Sequence, residues 1–257
     1  MRIVDVDALV AGVAQQPDVA GVVLLGSAAD TARADEWSDV DLWLVVDEGA
    51  QERYRENLSW LPGHEDIAVV ARETEHGRAV VFADGSYVEL AVASPADLTV
   101  FRATQARVVL DRGGVAEAVA AITVAPPGPG REPARRALAM LCGRLLVGVG
   151  RARRGELVSA GRFVRELAVG EVLVALRLLR PPADEAVLDP LDPTRRVERA
   201  YPAHAAALAA ACREDVEPCA RRLLDLAERW FAAEPEWPAA GVAAVRRRLG
   251  WDDPAAR

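Results

Sequence analysis

Lysine is missing from this 257-residue sequence, in which all 31 Lys and Arg positions are arginine. The absence excludes the chemistries that need a primary amine, namely a P-loop lysine, a Schiff base and a lysine general base. The base composition of the encoding genome is a sufficient explanation for the arginine bias, so the bias by itself indicates no function.

Cysteine, histidine and long apolar runs are also scarce. The three cysteines and three histidines are scattered, with no CxxC motif and no zinc-ligand spacing (Cys142, Cys212 and Cys219; His64, His76 and His204). The cysteines therefore fit buried thiols in a reducing compartment. No apolar run reaches the roughly 18 residues that a membrane span requires, and the first residues lack the pattern of a signal peptide. We therefore expect a cytoplasmic protein with no membrane partner.

The charge of the chain is divided unevenly along its length, although the net charge is only −8. Residues 1–125 hold 9 Arg against 21 Asp and Glu, a net charge of −12, whereas residues 126–257 hold 22 Arg against 18 Asp and Glu, a net charge of +4. Because binding to a phosphate backbone needs a basic surface, the acidic first half argues against nucleic acid as the main partner.

The stretch from Val22 to Val46 carries the clearest chemical pattern. Its apolar start, Val22 to Leu25, predicts a short buried strand that stops at Gly26. Glycine permits a sharp turn and close approach of a ligand to the backbone. Ser27 follows at a predicted helix N-cap, and a helix N-terminus favours anions. Gly26 and Ser27 are therefore candidate phosphate-binding residues.

The second half of this stretch alternates between the two faces of a predicted strand. Asp39, Asp41, Trp43 and Val45 fall on one face, so the two aspartates project side by side, about 7 Å apart at Cα. Two carboxylates this close repel each other unless a cation lies between them. Hard divalent cations, magnesium first, suit such oxygen ligands, and substrate phosphates usually complete the coordination shell. Asp39 and Asp41 are therefore candidate metal ligands.

A third carboxylate, Glu89, lies in the predicted strand Tyr87 to Ala93. Val88, Leu90 and Val92 share one face of that strand, which leaves Glu89 on the other. Neighbouring strands lie about 4.8 Å apart, so Glu89 can join Asp39 and Asp41 on one face of a sheet. If it does not, Glu65 or Asp66 is the next candidate for the third carboxylate.

Composition divides the chain at the Pro/Gly-rich segment 126–130. Before this segment, short apolar runs predict strands, with helices expected at 5–16, 49–60 and 115–121. After it, a period of 3.6 residues predicts five helices, with Pro202, Pro218 and Pro238 suited to first helical positions. We expect an α+β protein with a domain at 1–125 and an α-helical bundle at 131–251.

The densest basic segment is the turn at residues 151–154, which contains Arg151, Arg153 and Arg154. One interpretation is a turn that faces a polyphosphate. The simpler interpretation is a solvated turn at a helix C-terminus, where cations are favoured in any case.

Gly26-Ser27, then Ser38-Asp39-Val40-Asp41, then Glu89 on a later strand together resemble the signature of the nucleotidyltransferase superfamily. The order of a first domain of this size, a Pro/Gly linker and a helical bundle is similar to that of the antibiotic nucleotidyltransferases, of the lincosamide and aminoglycoside type. Ser94-Pro95 leading to Leu98 directly after the Glu89 strand agrees with this resemblance. It covers about residues 3–232 and is specific for Gly-Ser and the three acidic residues.

This resemblance implies a mixed β-sheet flanked by helices and a nucleoside triphosphate bound with Mg²⁺. It implies transfer of a nucleotidyl group, AMP being the expected one, to a hydroxyl of a small molecule, with release of pyrophosphate. By matching positions, Gly26 and Ser27 would hold the triphosphate, and Asp39 and Asp41 the Mg²⁺. Glu89 would be the third metal ligand or the general base toward the acceptor hydroxyl.

One departure and one alternative accompany the resemblance. Many relatives carry a basic residue and a glycine shortly after Gly-Ser, where this chain has Asp30 and Thr31, and Arg33 is the nearest substitute. The alternative is an antitoxin-like nucleotidyltransferase that modifies or binds a protein partner. The helical half favours a small-molecule acceptor, since such antitoxins are usually a bare catalytic domain. The resemblance also implies a homodimer.

Overall fold

A computed structural model describes residues 5–30, 37–123, 131–189 and 191–251. The chain divides into two compact units, Met1–Ala125 and Pro126–Arg257. The predicted linker at 126–130, Thr31 and Arg33 lie outside the described residues. Within the described ranges, no helix has both the length and the apolar character needed to cross a membrane.

The first unit is built on one mixed sheet of six strands. The strands are β1 (Val19–Leu25), β2 (Val40–Val46), β3 (Ile67–Arg72), β4 (Gly77–Phe82), β5 (Tyr87–Ala93) and β6 (Ala106–Asp111). Their order across the sheet is β3-β4-β5-β2-β1-β6. Only the β2–β5 pair among these is parallel, while the other neighbours run antiparallel. The predicted mixed sheet with flanking helices, followed by a helical region, is confirmed.

Alternating side chains give this sheet two apolar faces. Leu42, Leu44 and Val46 of β2 belong to a core that also includes Leu9 and Val13 of the N-terminal helix. The opposite face has its own core, which contains, among others, Trp43, Val45, Leu98 and Val119. Strand β2 is therefore fixed in register, because a slip of one residue would exchange its two faces.

Four helices of the first unit are α1 (Val6–Val13), α2 (Gly26–Ala29), α3 (Gln51–Glu56) and α4 (Val115–Ile122). The helix expected at 49–60 is shorter than predicted, because Asn57 has an extended backbone that ends it. The side chain of Asp5 caps α1 by accepting the N–H of Ala8. A short 3-10 helix, Asp97–Val100, follows β5.

The longer elements of the second unit are all helices. These are α5 (Arg131–Arg153), α6 (Leu157–Gly161), α7 (Val169–Leu179), α8 (Val197–Ala200), α9 (Pro202–Cys212), α10 (Val216–Phe231) and α11 (Ala239–Leu249). A π-helical segment, Arg162–Ala168, joins α6 to α7, which the single 3.6-residue period did not predict. Of the three prolines, only Pro202 takes the first helical position; Pro218 lies two residues later in α10, and Pro238 precedes α11.

The aromatic residues near the end of the second unit contribute to its core. Phe231 is fully buried, and Trp230 and Trp237 are partly buried against the same apolar cluster. These side chains therefore serve intramolecular packing, as aromatic residues at helical spacing usually do. The expected homodimer receives no support from them and stays a prediction.

Candidate active site

Asp41 and Glu89 are brought together by the one parallel pair of the sheet. In the β2–β5 register Asp41 lies directly opposite Glu89, and Val40 and Leu42 lie opposite Val88 and Leu90. The flanking apolar residues hold both strands in the core, so the two carboxylates project from the same face at fixed positions. Glu89 therefore occupies the position expected from the alternation of its strand.

Asp39 completes a cluster of three half-buried carboxylates with Asp41 and Glu89. One carboxylate oxygen of each residue lies within 4.8 Å of the others, an arrangement that can hold a metal ion. Asp39 was expected inside a strand, but β2 begins one residue later, at Val40. Three anionic groups at this separation repel one another, so a divalent cation among them would stabilise the arrangement.

Tyr87 lies two residues before Glu89 on the same strand and the same face. Its hydroxyl donates a hydrogen bond of 2.9 Å to Glu89 Oε1. This bond, followed by burial and by the negative charges of Glu89, Glu73 and Asp39, raises the pKa of Tyr87 to about 12. The phenol therefore keeps its proton even in moderately alkaline solution, and its O–H holds one oxygen of the Glu89 carboxylate.

Gly26 joins the end of β1 to α2 in a left-handed conformation, with φ of +52°. A Cβ at this position would lie 3.1 Å from Asp41 Oδ2, closer than ordinary contact. Leu25, the residue before it, pairs with Asp41 in the antiparallel β1–β2 register. Glycine is therefore favoured here for two reasons, the left-handed backbone conformation and the limited space beside the carboxylate.

Ser27 does not take the N-cap position that its sequence context predicts. Leu25 is the N-cap residue of the four-residue helix α2, and no side chain caps that helix end. Instead the Ser27 hydroxyl donates a 3.3 Å hydrogen bond to the carbonyl oxygen of Asp39. The contact links the Gly-Ser turn to the residue where the acidic segment begins, so the two halves of the motif support each other.

An arginine side chain lies beside the Gly26-Ser27 turn, although the residue shortly after that turn is Asp30 rather than a basic residue. Arg107 of β6 is exposed, and its Nη2 donates a 3.4 Å hydrogen bond to the carbonyl oxygen of Ala28 in α2. Sequence reasoning missed Arg107 because the strand pairing that places it near α2 joins segments far apart in the chain.

Other candidates from the sequence do not join the carboxylate cluster. Glu65 and Asp66 lie in a 3-10 helix before β3 and are not members of it. In the basic turn of the second unit, Arg154 donates to Glu156, and Arg153 donates to Glu217 and to the Leu249 carbonyl. These intramolecular partners favour the interpretation of that turn as structural.

Comparison with known proteins finds likeness in structure but not in sequence. No family model matches the sequence, and no curated protein matches it. An aminoglycoside 6-adenyltransferase from Bacillus subtilis is 12% identical over 99% of this chain and 94% of that chain, with a TM-score of 0.32. A nucleotidyltransferase-like protein from Exiguobacterium sibiricum 255-15 is 13% identical over 96% and 79%, with a TM-score of 0.34.

A third similar structure is the CD-NTase CdnG of Bradyrhizobium diazoefficiens in complex with GTP. It is 15% identical over 95% of this chain and 91% of that chain, with a TM-score of 0.28. These TM-scores are low, so the function proposed below rests on the chain's own residues rather than on these likenesses.

Proposed function

We propose that the protein is an enzyme of the nucleotidyltransferase superfamily that depends on Mg²⁺. It transfers a nucleoside monophosphate, AMP first, from a nucleoside triphosphate to a hydroxyl group of a small molecule. The observation that carries this proposal is the convergence of Asp39, Asp41 and Glu89 on one face of the sheet, beside the Gly26 turn.

The three carboxylates fit a magnesium ion by the chemistry of their donor atoms. Mg²⁺ prefers oxygen ligands and is usually bound through carboxylates together with substrate phosphates. Asp39 and Asp41 would hold the ion, with Glu89 within reach as a third ligand. When bound, Mg²⁺ neutralises negative charge on the triphosphate and on the leaving pyrophosphate.

Glu89 would also act as the general base toward the acceptor. The acceptor hydroxyl oxygen forms a bond to the α-phosphorus, and the bond from that phosphorus to the bridging oxygen of pyrophosphate breaks. The hydroxyl proton passes to the Glu89 carboxylate, whose other interactions include the hydrogen bond from Tyr87. A fixed carboxylate favours this transfer, because proton transfer needs hydrogen-bond reach in the reactive geometry.

Gly26 and Ser27 would contact the triphosphate. The absence of a side chain at Gly26 leaves space next to Asp41, so a phosphate can approach both the backbone and the metal ligands. Arg107, which contacts the carbonyl of Ala28, adds positive charge next to this turn. The charge it supplies offsets the lack of a basic residue directly after Gly-Ser.

The proposed acceptor is a small hydroxylated molecule, and an antibiotic of the lincosamide or aminoglycoside type is the first candidate. The basis is the order of the sequence motifs and the presence of a helical unit after the sheet-bearing unit.

We place the protein in the cytoplasm, where nucleoside triphosphates are available. We also propose a homodimer, which static light scattering at micromolar concentration measures directly.

The test is a screen for pyrophosphate release with four nucleoside triphosphates, Mg²⁺ and a panel of lincosamides and aminoglycosides. Mass spectrometry of the acceptor should show the gain of one nucleoside monophosphate. Asp41→Asn should abolish the signal, whereas Asp47→Asn, one residue beyond the opposite end of β2, should keep it. Pyrophosphate release that persists in Asp41→Asn would contradict the assigned site.

A further inference from the structure

The sheet extends past Glu89 on the side away from Asp41, through β4 to the edge strand β3. Glu89 pairs with Ala79 of β4, and Ala79 pairs in turn with Ala71 of β3. Directly paired residues project from the same face of a sheet, so both alanines lie on the face that carries the carboxylates. Glu89 therefore has two small side chains beside it in one row across the sheet.

A second row runs next to the first, two residues away along each strand. In this row Tyr87 pairs with Val81, and Val81 pairs with Val69. Strands lie about 4.8 Å apart and two residues span about 7 Å, so the two rows outline a surface of roughly 10 Å by 7 Å next to Glu89. We call this surface the alanine–valine floor, and its four members are Val69, Ala71, Ala79 and Val81.

The two faces of this part of the sheet differ in exposure. The other face of β4 and β5 is buried in the core through apolar side chains that include Val80, Phe82, Val88 and Leu90. On the floor, Ala79 and Val81 are half-buried, Ala71 is exposed and Val69 is 56% exposed. A sheet with one solvated face normally carries polar side chains on that face. An open face made of alanine and valine is therefore typical of a surface that contacts a ligand.

We propose that the alanine–valine floor binds the acceptor of the transfer reaction, and that this acceptor has an apolar side and at most one positive charge. The proposal rests on the nucleotidyltransferase function proposed above. It narrows the acceptor to the chemistry of a lincosamide rather than that of an aminoglycoside, which carries several amines.

The position of Glu89 identifies the acceptor, rather than the triphosphate, as the molecule on the floor. On its other side Glu89 pairs with Asp41, and Asp41 pairs with Leu25, the residue before the Gly26 turn. The residues proposed to contact the triphosphate thus lie on the Asp41 side of Glu89, and the floor lies on the opposite side. Because a general base must be within hydrogen-bond reach of the proton it removes, an acceptor on the floor can present a hydroxyl to Glu89.

The chemistry of the floor selects the class of acceptor. All four of its side chains are apolar, so they bind a ligand by removing apolar surface from water. Each amine of a polycationic acceptor would need a polar partner in place of its water, and these four side chains offer none. The neighbouring carboxylates of Asp39, Asp41 and Glu89 are assigned above to the metal ion and to proton transfer.

Calorimetry on the full chain tests the proposal directly. Lincomycin and kanamycin are titrated into the protein with Mg²⁺ and a nucleoside triphosphate in which a methylene group joins the α and β phosphorus atoms and so prevents transfer. We expect lincomycin to bind and kanamycin to bind at least about tenfold more weakly. Kanamycin binding as tight as that of lincomycin, or no binding of lincomycin, would overturn the proposal.

Val69 and Val70 provide a matched pair of variants. They are adjacent in β3 and similarly exposed, at 56% and 46%, but they project from opposite faces, because Val70 pairs with the buried Val80. Val69→Gln should weaken lincomycin binding about fivefold by placing a polar amide on the floor, whereas Val70→Gln should leave the affinity unchanged. Equal affinities in the two variants would overturn the proposal.

Ala79→Leu tests the floor next to Glu89 itself. The larger side chain should weaken lincomycin binding at least about tenfold while the triphosphate still binds. Thermal melting checks that this half-buried site accepts the change, and the exposed Val69 keeps the proposal testable if it does not.

The triphosphate titration separates failure of this proposal from failure of the proposed function. A wild-type protein that does not bind the triphosphate with Mg²⁺ would contradict both. A protein that binds the triphosphate but responds equally to Val69→Gln and Val70→Gln would contradict only the assignment of the floor to the acceptor.

Discussion

Asp41 and Glu89 lie directly opposite each other in the parallel β2–β5 pair, so folding itself brings two carboxylates side by side. Repulsion between them opposes folding in the absence of a cation. The apolar residues on either side of each carboxylate, Leu42 and Leu90 among them, are buried and fix the register against this cost. The sheet therefore maintains a charge arrangement that opposes stability, as expected if the carboxylates form the proposed metal site.

The first prediction follows from this repulsion. Asp41→Asn and Asp39→Asn should each abolish nucleotide transfer while leaving the metal-free fold at least as stable as wild type. The gain in free energy of unfolding should be on the order of 1 kcal/mol at low salt and should shrink as salt screens the charges. Urea titrations at two salt concentrations, together with turnover, measure both effects. A clear loss of stability in Asp41→Asn would show that its carboxylate is needed for folding.

The second prediction concerns the turn at Gly26. Gly26→Ala should lower the free energy of unfolding by about 1–2 kcal/mol, because a left-handed backbone is strained for alanine. Gly49 has a similar backbone, with φ of +88°, but a Cβ there meets nothing within 4 Å. Gly49→Ala thus gives the strain alone, and any further loss in Gly26→Ala reports the contact with Asp41. Denaturant titration of both variants gives the comparison. Equal losses in free energy of unfolding would mean that the Asp41 side chain moves away from the added methyl group without a measurable cost.

The central strands were predictable because their patterns are strong and local. Tyr87–Ala93 alternates apolar and other residues without interruption, so its boundaries and the face of Glu89 follow from the sequence alone. The face of β2 on which Asp41 lies follows in the same way. Pairing of β2 with β5 was only an expectation, since a strand's pattern fixes its face but does not name its neighbour.

Features that depend on tertiary contacts were missed. Ser27 has the composition of an N-cap, yet its hydroxyl bonds the Asp39 carbonyl, a contact between segments separated along the chain. The role of Tyr87 could have been found, because it lies two residues before Glu89 on the same face. The π-helical segment at Arg162–Ala168 was missed because its i→i+5 hydrogen bonding is a property of the local backbone, which the spacing of apolar residues does not specify.

The third prediction concerns stability near α4. The Asp111 carboxylate accepts backbone N–H groups from Gly113, Gly114, Val115 and Ala116, and these bonds lower its pKa. A lowered pKa means that the stabilisation is present above about pH 4 and is lost as pH falls through the folded-state value. Asp111→Ala should therefore be less stable than wild type at pH 7, and the difference should shrink in acid.

Asp111→Asn is the matched control for that experiment. Its amide oxygen can still accept from the loop, but it carries no charge and does not titrate. Its stability should lie between those of wild type and Asp111→Ala at pH 7. Urea titrations from neutral to acidic pH measure all three proteins, and a wild-type advantage over Asp111→Ala that does not change with pH would contradict the assignment.

The fourth prediction concerns Tyr87 as a positioning residue for Glu89. Tyr87→Phe removes the 2.9 Å hydrogen bond but keeps the ring, so kcat should fall about tenfold while KM for the nucleotide stays unchanged. Tyr54→Phe is the control, because the Tyr54 hydroxyl donates to Asp18, which is not in the carboxylate cluster. That variant should lose stability and keep kcat. An unchanged kcat in Tyr87→Phe would show that Glu89 is held by other contacts.

The fifth prediction separates the two roles proposed for Glu89. Glu89→Gln keeps a hydrogen-bond acceptor for Tyr87 but cannot take a proton from the acceptor hydroxyl. If Glu89 acts mainly as the base, the variant should bind a non-hydrolysable nucleoside triphosphate with Mg²⁺ as wild type does and lose turnover by at least about a hundredfold. If it acts mainly as a metal ligand, the same change should also weaken Mg²⁺-dependent binding.

Calorimetry on wild type, Glu89→Gln and Asp41→Asn distinguishes these outcomes. We expect Glu89→Gln to bind nearly as wild type and Asp41→Asn to lose Mg²⁺-dependent binding, because Glu89 combines the base role with some ligand character. Repeating the titrations without Mg²⁺ isolates the contribution of the ion, since all three proteins should then bind the nucleotide equally weakly. Unchanged turnover in Glu89→Gln would remove Glu89 from the mechanism and leave Asp39 and Asp41 as the acidic residues that act in it.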